Sequence, residues 1–325
     1  MAGKYSIGVD LGGTKVLAAV VETKTGKLVA TKKKRTKQAN TQETLLQRIS
    51  AAVDDAIELA GLETSKIDGI GVGAAGMVDR QRGILLAAAN LGVSDISITR
   101  PLEQRYGVKA QLGNDVEVAT YGERYFGAGQ KSNHFVCVFV GTGIGSGIVV
   151  HDHYLKGNDG TAGEIGHTKI FPDGRKCGCG GYGCLEAYAS RLAIAKTIKS
   201  AVDHGQPTMV SGKIDMNKGI LRSSTIAEAV ENGDPVVSDA VKAGARYLAW
   251  GLASVVNFFN PERIILGGGL VEAVDLYYDV CKQEIGKIAL PIPAKNLKLV
   301  RSQLGDNAGV VGAALMASSR NGKNR

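Results

Sequence analysis

The sequence predicts an α/β protein with mixed sheets, divided into two related domains. Three observations carry that expectation. The chain has 325 residues, more than one hydrophobic core comfortably serves. Strand-like and helix-like patterns alternate along it and hairpins occur as well, which calls for both parallel and antiparallel pairing. The run "SIGVDLGGTKVLAAVV" at 6–21 also has a counterpart in "FVCVFVGTGIGSGIVV" at 135–150. Each is a β run, a glycine-rich turn and a second β run, so the chain reads as an internal duplication.

The elements follow in order. Residues 6–21 give two strands joined by the turn "DLGGTK". The segment 41–61 is helical: Leu45, Leu46, Ile49, Val53, Ala56 and Ile57 share one face, and Gly61 stops it. "IDGIGVGAAG" at 67–76 is a short buried-type strand running into glycines, and "VKAQLGNDVEVATYGERYFG" is a strand, a turn at Gly113-Asn114 and a helix. After the second hairpin come helices at about 185–203 and 235–259. The strand "RIILGGG" at 263–269 then feeds a helix starting near Leu270. The apolar segment "AGVVGAALMAS" at 308–318 is the last helix and is expected to pack back onto the first domain. The expected division is 1–115 with 308–325 against 116–307.

Composition narrows the function classes. Apolar residues make up 44% and charged residues 22%, which is ordinary for a globular chain. The net charge of +8 leaves room for an anionic partner. Its densest run, "KKKRTK" at 32–37, has no interleaved aromatic residues and so no stacking platform; it reads as a solvated strand end, and no nucleic-acid partner is expected. No secretory signal precedes the first strand, and no apolar run approaches the length of a membrane span. Five cysteines are an odd count and too few for a disulfide scaffold of this size, which fits a reducing cytoplasm.

Forty-four glycines, many clustered beside apolar runs, point to close backbone approach. Three glycine-rich turns follow strands: Asp10 to Lys15, "GTGIGSG" at 141–147, and "GGGL" at 267–270. Successive N–H groups in such turns can hold phosphate oxygens. None has the Walker spacing, and each alone reads more readily as a tight hairpin. Together they tilt toward a nucleoside triphosphate, with Asp10 either reaching Mg²⁺ through water or steadying its turn. In "LGND", an aspartate at the opening of a helix can cap it or can accept a hydroxyl proton. "GEIGH" puts Glu164 and His167 in a glycine-flanked loop, suited to polar recognition or to a plain surface turn.

The strongest signal is "HTKIFPDGRKCGCGGYGCLE" at 167–186. His167, Cys177, Cys179 and Cys184 are four ligands of the kinds zinc takes, enough to close a tetrahedron. They are separated by glycines and charges rather than core residues, unlike Cys137 and Cys281. The spacings are C-x-C and C-x₄-C, so no C-x-x-C redox motif is present. With no open position the zinc would be structural.

Through "DLGGTK", "GND", "GTGIGSGIVV" with "GNDGTAGEIGH", "CGCGGYGCLE" and "LGGGL", the chain resembles the ROK family of sugar kinases and repressors, in its bacterial glucokinase branch. The resemblance runs over essentially the whole chain. It implies two actin/hexokinase-like (ribonuclease-H-like) domains with a cleft between them and a small zinc-binding loop. It implies ATP, Mg²⁺ and a structural Zn²⁺ as cofactors, a hexose as substrate, and a homodimer or homotetramer. By position, Asp115 would be the catalytic base and Asn114 a sugar ligand. Glu164, His167 and Glu186 would hold sugar hydroxyls, with Gly76 and Asn90 nearby. Asp10, Gly12, Gly13, Thr14, Lys15, Thr142 and Gly143 would face phosphates and Mg²⁺; Gly268 and Gly269 would lie near the adenosine. The family's sugar loop usually has proline before glycine, where this chain has Ala75.

The implied reaction is phosphorylation of the 6-hydroxyl of glucose. Kinases for N-acetylglucosamine, N-acetylmannosamine, mannose or fructose are the neighbouring readings, and a sugar-sensing regulator is the non-enzyme one. The family's repressors carry a DNA-binding module ahead of the first phosphate turn, and Asp10 leaves no room for one. That position and Asp115 favour the kinase.

Overall fold

A computed structural model describes residues 4–36, 41–88, 91–215 and 219–318. The chain forms two compact units, 1–130 with 306–325 and 131–305.

The first unit opens with β1 (Tyr5–Leu11), β2 (Lys15–Glu22) and β3 (Leu28–Arg35), an antiparallel meander. Lysines 32–34 and Arg35 lie on β3, the edge of the sheet, alternating between half-buried and exposed. Charges there discourage pairing with another chain's strand, so the basic run has a structural account. Lys34 also pairs with Asp55 at 2.7 Å. Helix α1 (Gln42–Leu59) starts at a capping box between Thr41 and Thr44. It buries Leu45, Ile49, Ala52, Val53, Ala56 and Ile57, and Gly61 follows it with φ +62°.

Strand β4 (Ile67–Ala74) pairs parallel to β1. A small antiparallel sheet follows, made of β5 (Met77–Asp79), β6 (Ile84–Ala88) and β7 (Val93–Ser97). After α2 (Thr99–Tyr106), β8 (Ala110–Asn114) adds to β4 in parallel and leads without a loop into α3 (Asp115–Phe126).

The second unit repeats the scheme. Strands β9 (Phe135–Val140), β10 (Ile144–Val150) and β11 (His153–Tyr154) form an antiparallel meander. Helices α4 (Glu186–Ala189), α5 (Arg191–Asp203), α6 (Ser223–Glu231) and α7 (Pro235–Phe259) come next. The stretch expected as one helix at 185–203 is thus two, broken at Ser190, whose hydroxyl caps α5 by accepting from Ala193 N–H. Strand β12 (Arg263–Gly267) lies parallel to β9 and leads into α8 (Gly269–Ala273). Helices α9 (Asp275–Ile288) and α10 (Pro291–Ala294) precede β13 (Lys298–Arg301). The two main sheets have the orders β3-β2-β1-β4-β8 and β11-β10-β9-β12-β13, with the same strand senses, which is the duplication the paired hairpins predict.

Helix α11 (Ala308–Ala317) belongs to the first unit, where it packs on β1, β4 and α3. It is buried all round, so it has no polar stripe, and it lies so close that glycine is required beneath it. A Cβ on Gly71 would stand 1.8 Å from the Ala313 carbonyl oxygen, and one on Gly312 would stand 1.6 Å from that of Val118. Gly71→Ala is therefore expected to destabilise the fold by about 3 kcal/mol or more, from overpacking against backbone that cannot yield. Chemical denaturation checks it. The contact of α3 with α11 carries the first unit on to residue 130. The boundary expected at 115/116 falls at the start of α3, whose sequence pattern says nothing about the side on which it packs.

Candidate functional site

In the first unit the site is built where β1, β4 and β8 end. Asp10 is the penultimate residue of β1, and the turn Gly12–Thr14 leads into β2 at Lys15. The turn is closed by Gly12 N–H donating to Lys15 O at 3.0 Å. It is anchored by Thr36 N–H on Thr14 O at 3.0 Å. Burial pushes the Asp10 carboxyl above its usual value, with Lys15 pulling it back and Asp306 adding to the rise. A desolvated carboxylate of that kind suits a cation.

Asn114 and Asp115 stand where β8 becomes α3. The expectation that an aspartate caps this helix is corrected: Asn114 is the cap residue, its Oδ1 accepting from Val116 N–H at 2.9 Å and Glu117 N–H at 3.4 Å. Asp115 is the first helical residue, and its Oδ1 also accepts from Val116 N–H, at 3.0 Å. A negative charge at this helix N-terminus is favoured by the peptide dipoles. Asn114 Nδ2 reaches across to donate to Gly76 O at 3.1 Å. Gly76 has φ +153°, and a Cβ there would meet Ala87 O at 2.2 Å, so only glycine fits the loop. Gly76, Asn114 and Asp115 are thus brought together; Asn90 lies outside the described residues.

In the second unit the turn between β9 and β10 is only Gly141-Thr142-Gly143. The remaining residues of "GTGIGSG" are strand, because Ile144 and Ser146 continue the pairing with β9. Glu186, the first residue of α4, places Oε2 on Ile144 N–H at 2.8 Å, and Gly143 makes room for it. Its Oε1 lies 3.8 Å from Cys177 Sγ. One carboxylate therefore stands between the turn and the cysteine cluster. Gly268, with φ +90°, packs on the Val140 backbone, and Gly269 opens α8. That sets the third glycine turn beside the second.

His167, Cys177, Cys179 and Cys184 converge, with ligand atoms all within 4.8 Å of one another. Cys179 Sγ lies 3.7 Å from Cys184 Sγ, and Cys177 Sγ 3.8 Å from His167 Nδ1. A tetrahedral zinc with Zn–S of about 2.3 Å has Sγ–Sγ edges of about 3.8 Å, so the four groups fit that ion. Burial pushes the Cys177 thiol up to about 12, while the Gly181 N–H holds Cys179 below its ordinary value. Lys169 Nζ donates to Cys184 Sγ at 2.8 Å and is raised by that bond. A bound cation would offset the cost of the buried thiolate. Cys137 and Cys281 lie in the core, as expected. Glu164 is exposed, and its carbonyl accepts from His167 N–H at 3.0 Å.

Sequence reasoning missed Arg191. It is the first residue of α5, where a cation opposes the helix dipole. Its Nη2 donates to Thr142 Oγ1 at 2.7 Å and its Nη1 to Leu221 O, and burial lowers its pKa. The one local signal was a positive charge at a helix start; its partner lies 49 residues away.

The profile of the ROK family matches residues 6–320. The chain is 34% identical over 320 residues to a glucokinase of Streptomyces coelicolor, covering 96% of this chain and 97% of that one. Among solved structures it is similar to a ROK family glucokinase from Streptomyces griseus in complex with glucose and AMPPNP. That match has 35% identity and a TM-score of 0.82, over 96% of this chain and 98% of the other. The chain is also 29% identical over 314 residues to a xylose repressor of Caldicellulosiruptor bescii, covering 96% of this chain and 78% of the repressor. The fold is α/β of the actin/hexokinase-like kind. No described helix is long and apolar enough to cross a membrane.

Proposed function

We propose that this chain, a hexose kinase that belongs to the ROK family, transfers the γ-phosphoryl group of ATP to the 6-hydroxyl of glucose. The observation that carries the reading is the placement of Asp115 at the start of α3, beside an asparagine tied to the Gly76 loop. Asp115 accepts the proton of the 6-hydroxyl as that oxygen attacks the γ-phosphorus. The new O6–P bond forms, the bond from the γ-phosphorus to the bridging oxygen breaks, and ADP leaves. Such a transition state is loose, so positioning and charge stabilisation do most of the work.

In the first unit, the Gly12–Thr14 turn and Lys15 receive phosphate oxygens, and Asp10 would hold Mg²⁺. Mg²⁺, when bound, neutralises charge on the phosphates. Asn114 and the Gly76 loop hold sugar hydroxyls; Asn90 is assigned to the sugar by resemblance alone. In the second unit, Thr142 and Gly143 take phosphate oxygens, and Gly268 and Gly269 lie along the adenosine. Glu164 and Glu186 accept from sugar hydroxyls, as carboxylates do strongly, and His167 donates to a sugar oxygen from its Nε2–H. The Cys177–Cys179–Cys184–His167 set would hold zinc, which would tie this wall together while His167 keeps its Nε2–H for the sugar. ATP as donor and reduced thiols suit a cytoplasmic enzyme.

Arg191 braces Thr142 and supplies positive charge at the second turn. Arg191→Met is expected to raise KM for ATP by about tenfold while KM for glucose stays within twofold, about 1.4 kcal/mol of phosphate binding. Steady-state kinetics in both substrates check it.

The reading is tested by ADP release across a panel of glucose, N-acetylglucosamine, N-acetylmannosamine, mannose and fructose, with ATP or polyphosphate as donor. Glucose with ATP is expected to give the highest kcat/KM. Turnover on none of the sugars would favour the regulator that the similarity to a repressor makes the second reading.

A further inference from the structure

We propose that Arg80 and Glu117 form a clamp that sets the sugar loop against the helix bearing the catalytic base. The proposal rests on the reading of Asp115 and the Gly76 loop given above. Arg80 directly follows β5, two strand ends away from Gly76, and Glu117 lies in the first turn of α3. Arg80 Nη1 and Glu117 Oε1 are 2.6 Å apart, with side-chain exposures of 24% and 3%. The pair is therefore largely removed from water, where one partner without the other is strongly unfavourable.

Its position is what gives it a role beyond stability. Among the bonds that join the segment around β5 to the start of α3 are Asn114 Nδ2 on Gly76 O at 3.1 Å, just before β5, and Arg80 on Glu117, just after it. In sequence, residues 114 and 117 bracket Asp115. The first tie fixes the loop's entry into β5 and the second fixes its exit. With both made, the loop carbonyl and the Asp115 backbone cannot slide or rotate against each other. A third bond, Ala75 N–H on Leu11 O at 3.1 Å, holds the loop to the end of β1.

Ala75 explains why a clamp is needed. A proline at this position would restrict the backbone by itself, but it has no N–H to give to Leu11. This chain keeps that hydrogen bond and the freer residue, and leaves rigidity to the bonds around the loop. The β5–β6 turn is already shaped by Arg82 N–H on the Asp79 carboxylate at 3.0 Å, so Arg80 is spared for the reach to α3. Arg80 and Glu117 are positioning residues; neither needs to touch the sugar.

The test uses the full chain with Arg80→Met, Arg80→Lys and the double variant Arg80→Met/Glu117→Met. Two readouts are taken: the glucose Kd by calorimetry, and steady-state kinetics in glucose and ATP. Replacing both charges with apolar groups keeps the fold where the single variant strains it. The clamp predicts that Arg80→Met and the double variant raise glucose Kd and KM by about tenfold, leave KM for ATP within twofold, and lower kcat by less than about threefold. Arg80→Lys recovers part of the loss, since it restores charge without the planar fork. Glucose Kd unchanged in the folded double variant overturns the clamp, as do equal changes in the KM of glucose and ATP. Failure of the kinase reading is distinguishable: wild-type protein would then bind glucose without turnover, and the Kd comparison still decides the clamp.

Discussion

Asp115→Asn is expected to lower kcat by about 10³-fold, within the 10²- to 10⁴-fold range of a general base, while the glucose Kd changes by less than about threefold. In free energy the loss is about 4 kcal/mol of transition-state stabilisation. The amide keeps the size of the carboxylate and can occupy the first position of α3. The helix is secured by the Asn114 cap, with its bonds to the Val116 and Glu117 N–H groups, so the start of the helix survives the change. What is lost is the capacity to take the hydroxyl proton. Kinetics and calorimetry on the same preparation separate the two effects. Turnover within tenfold of wild type would remove Asp115 from the role of base.

Cys179→Ser is expected to reduce bound zinc from about one ion per chain to near zero and to lower activity by about 10²-fold. Cys179 is the exposed member of the four, so serine there opens no hole in the core. The segment 168–185 has little regular structure to hold it: two isolated bridges, Lys169 with Cys184 and Lys176 with Tyr182, are its sheet pairing among the described residues. Besides turn hydrogen bonds such as Cys177 N–H on Gly181 O and Gly183 N–H on Arg175 O, the proposed zinc would be its main cross-link, and the segment is flanked by His167 and Glu186. Losing the ion should therefore move the two residues proposed as sugar ligands, raising KM for glucose as well as lowering the melting temperature. Metal analysis by mass spectrometry with kinetics checks it. A zinc-free variant that phosphorylates glucose normally would make the metal a remote staple.

The sequence was informative wherever a feature is local. The two glycine-linked hairpins fold as β1–β2 and β9–β10, and their likeness reflects two sheets of the same order. The uniformly apolar stretch at 308–318 could only be a buried helix, and it packs in the first unit. The cysteine cluster was legible because glycines and charges surround it, and the four ligand atoms do converge.

Features that depend on distant pairing were not legible. Nothing near Asn114 tells that it, not Asp115, would cap α3, since both residue types cap well. Arg191 is an ordinary basic residue until Thr142 is brought to it, and Arg80 is a turn residue until Glu117 is placed beside it. Glycine and serine at 141–147 suggest a long turn, whereas pairing with β9 holds Ile144 to Val149 in strand. Here tertiary pairing overrides local propensity.

As proposed, the chain places phosphate on the 6-oxygen of glucose at the expense of ATP. The most direct measurement incubates the purified protein with glucose, ATP and Mg²⁺ and identifies the product by phosphorus and carbon NMR. Glucose 6-phosphate and ADP are expected in equal amounts, with no product from 6-deoxyglucose. Glucose binding without any sugar phosphate, or phosphate on another oxygen, would contradict the proposed reaction.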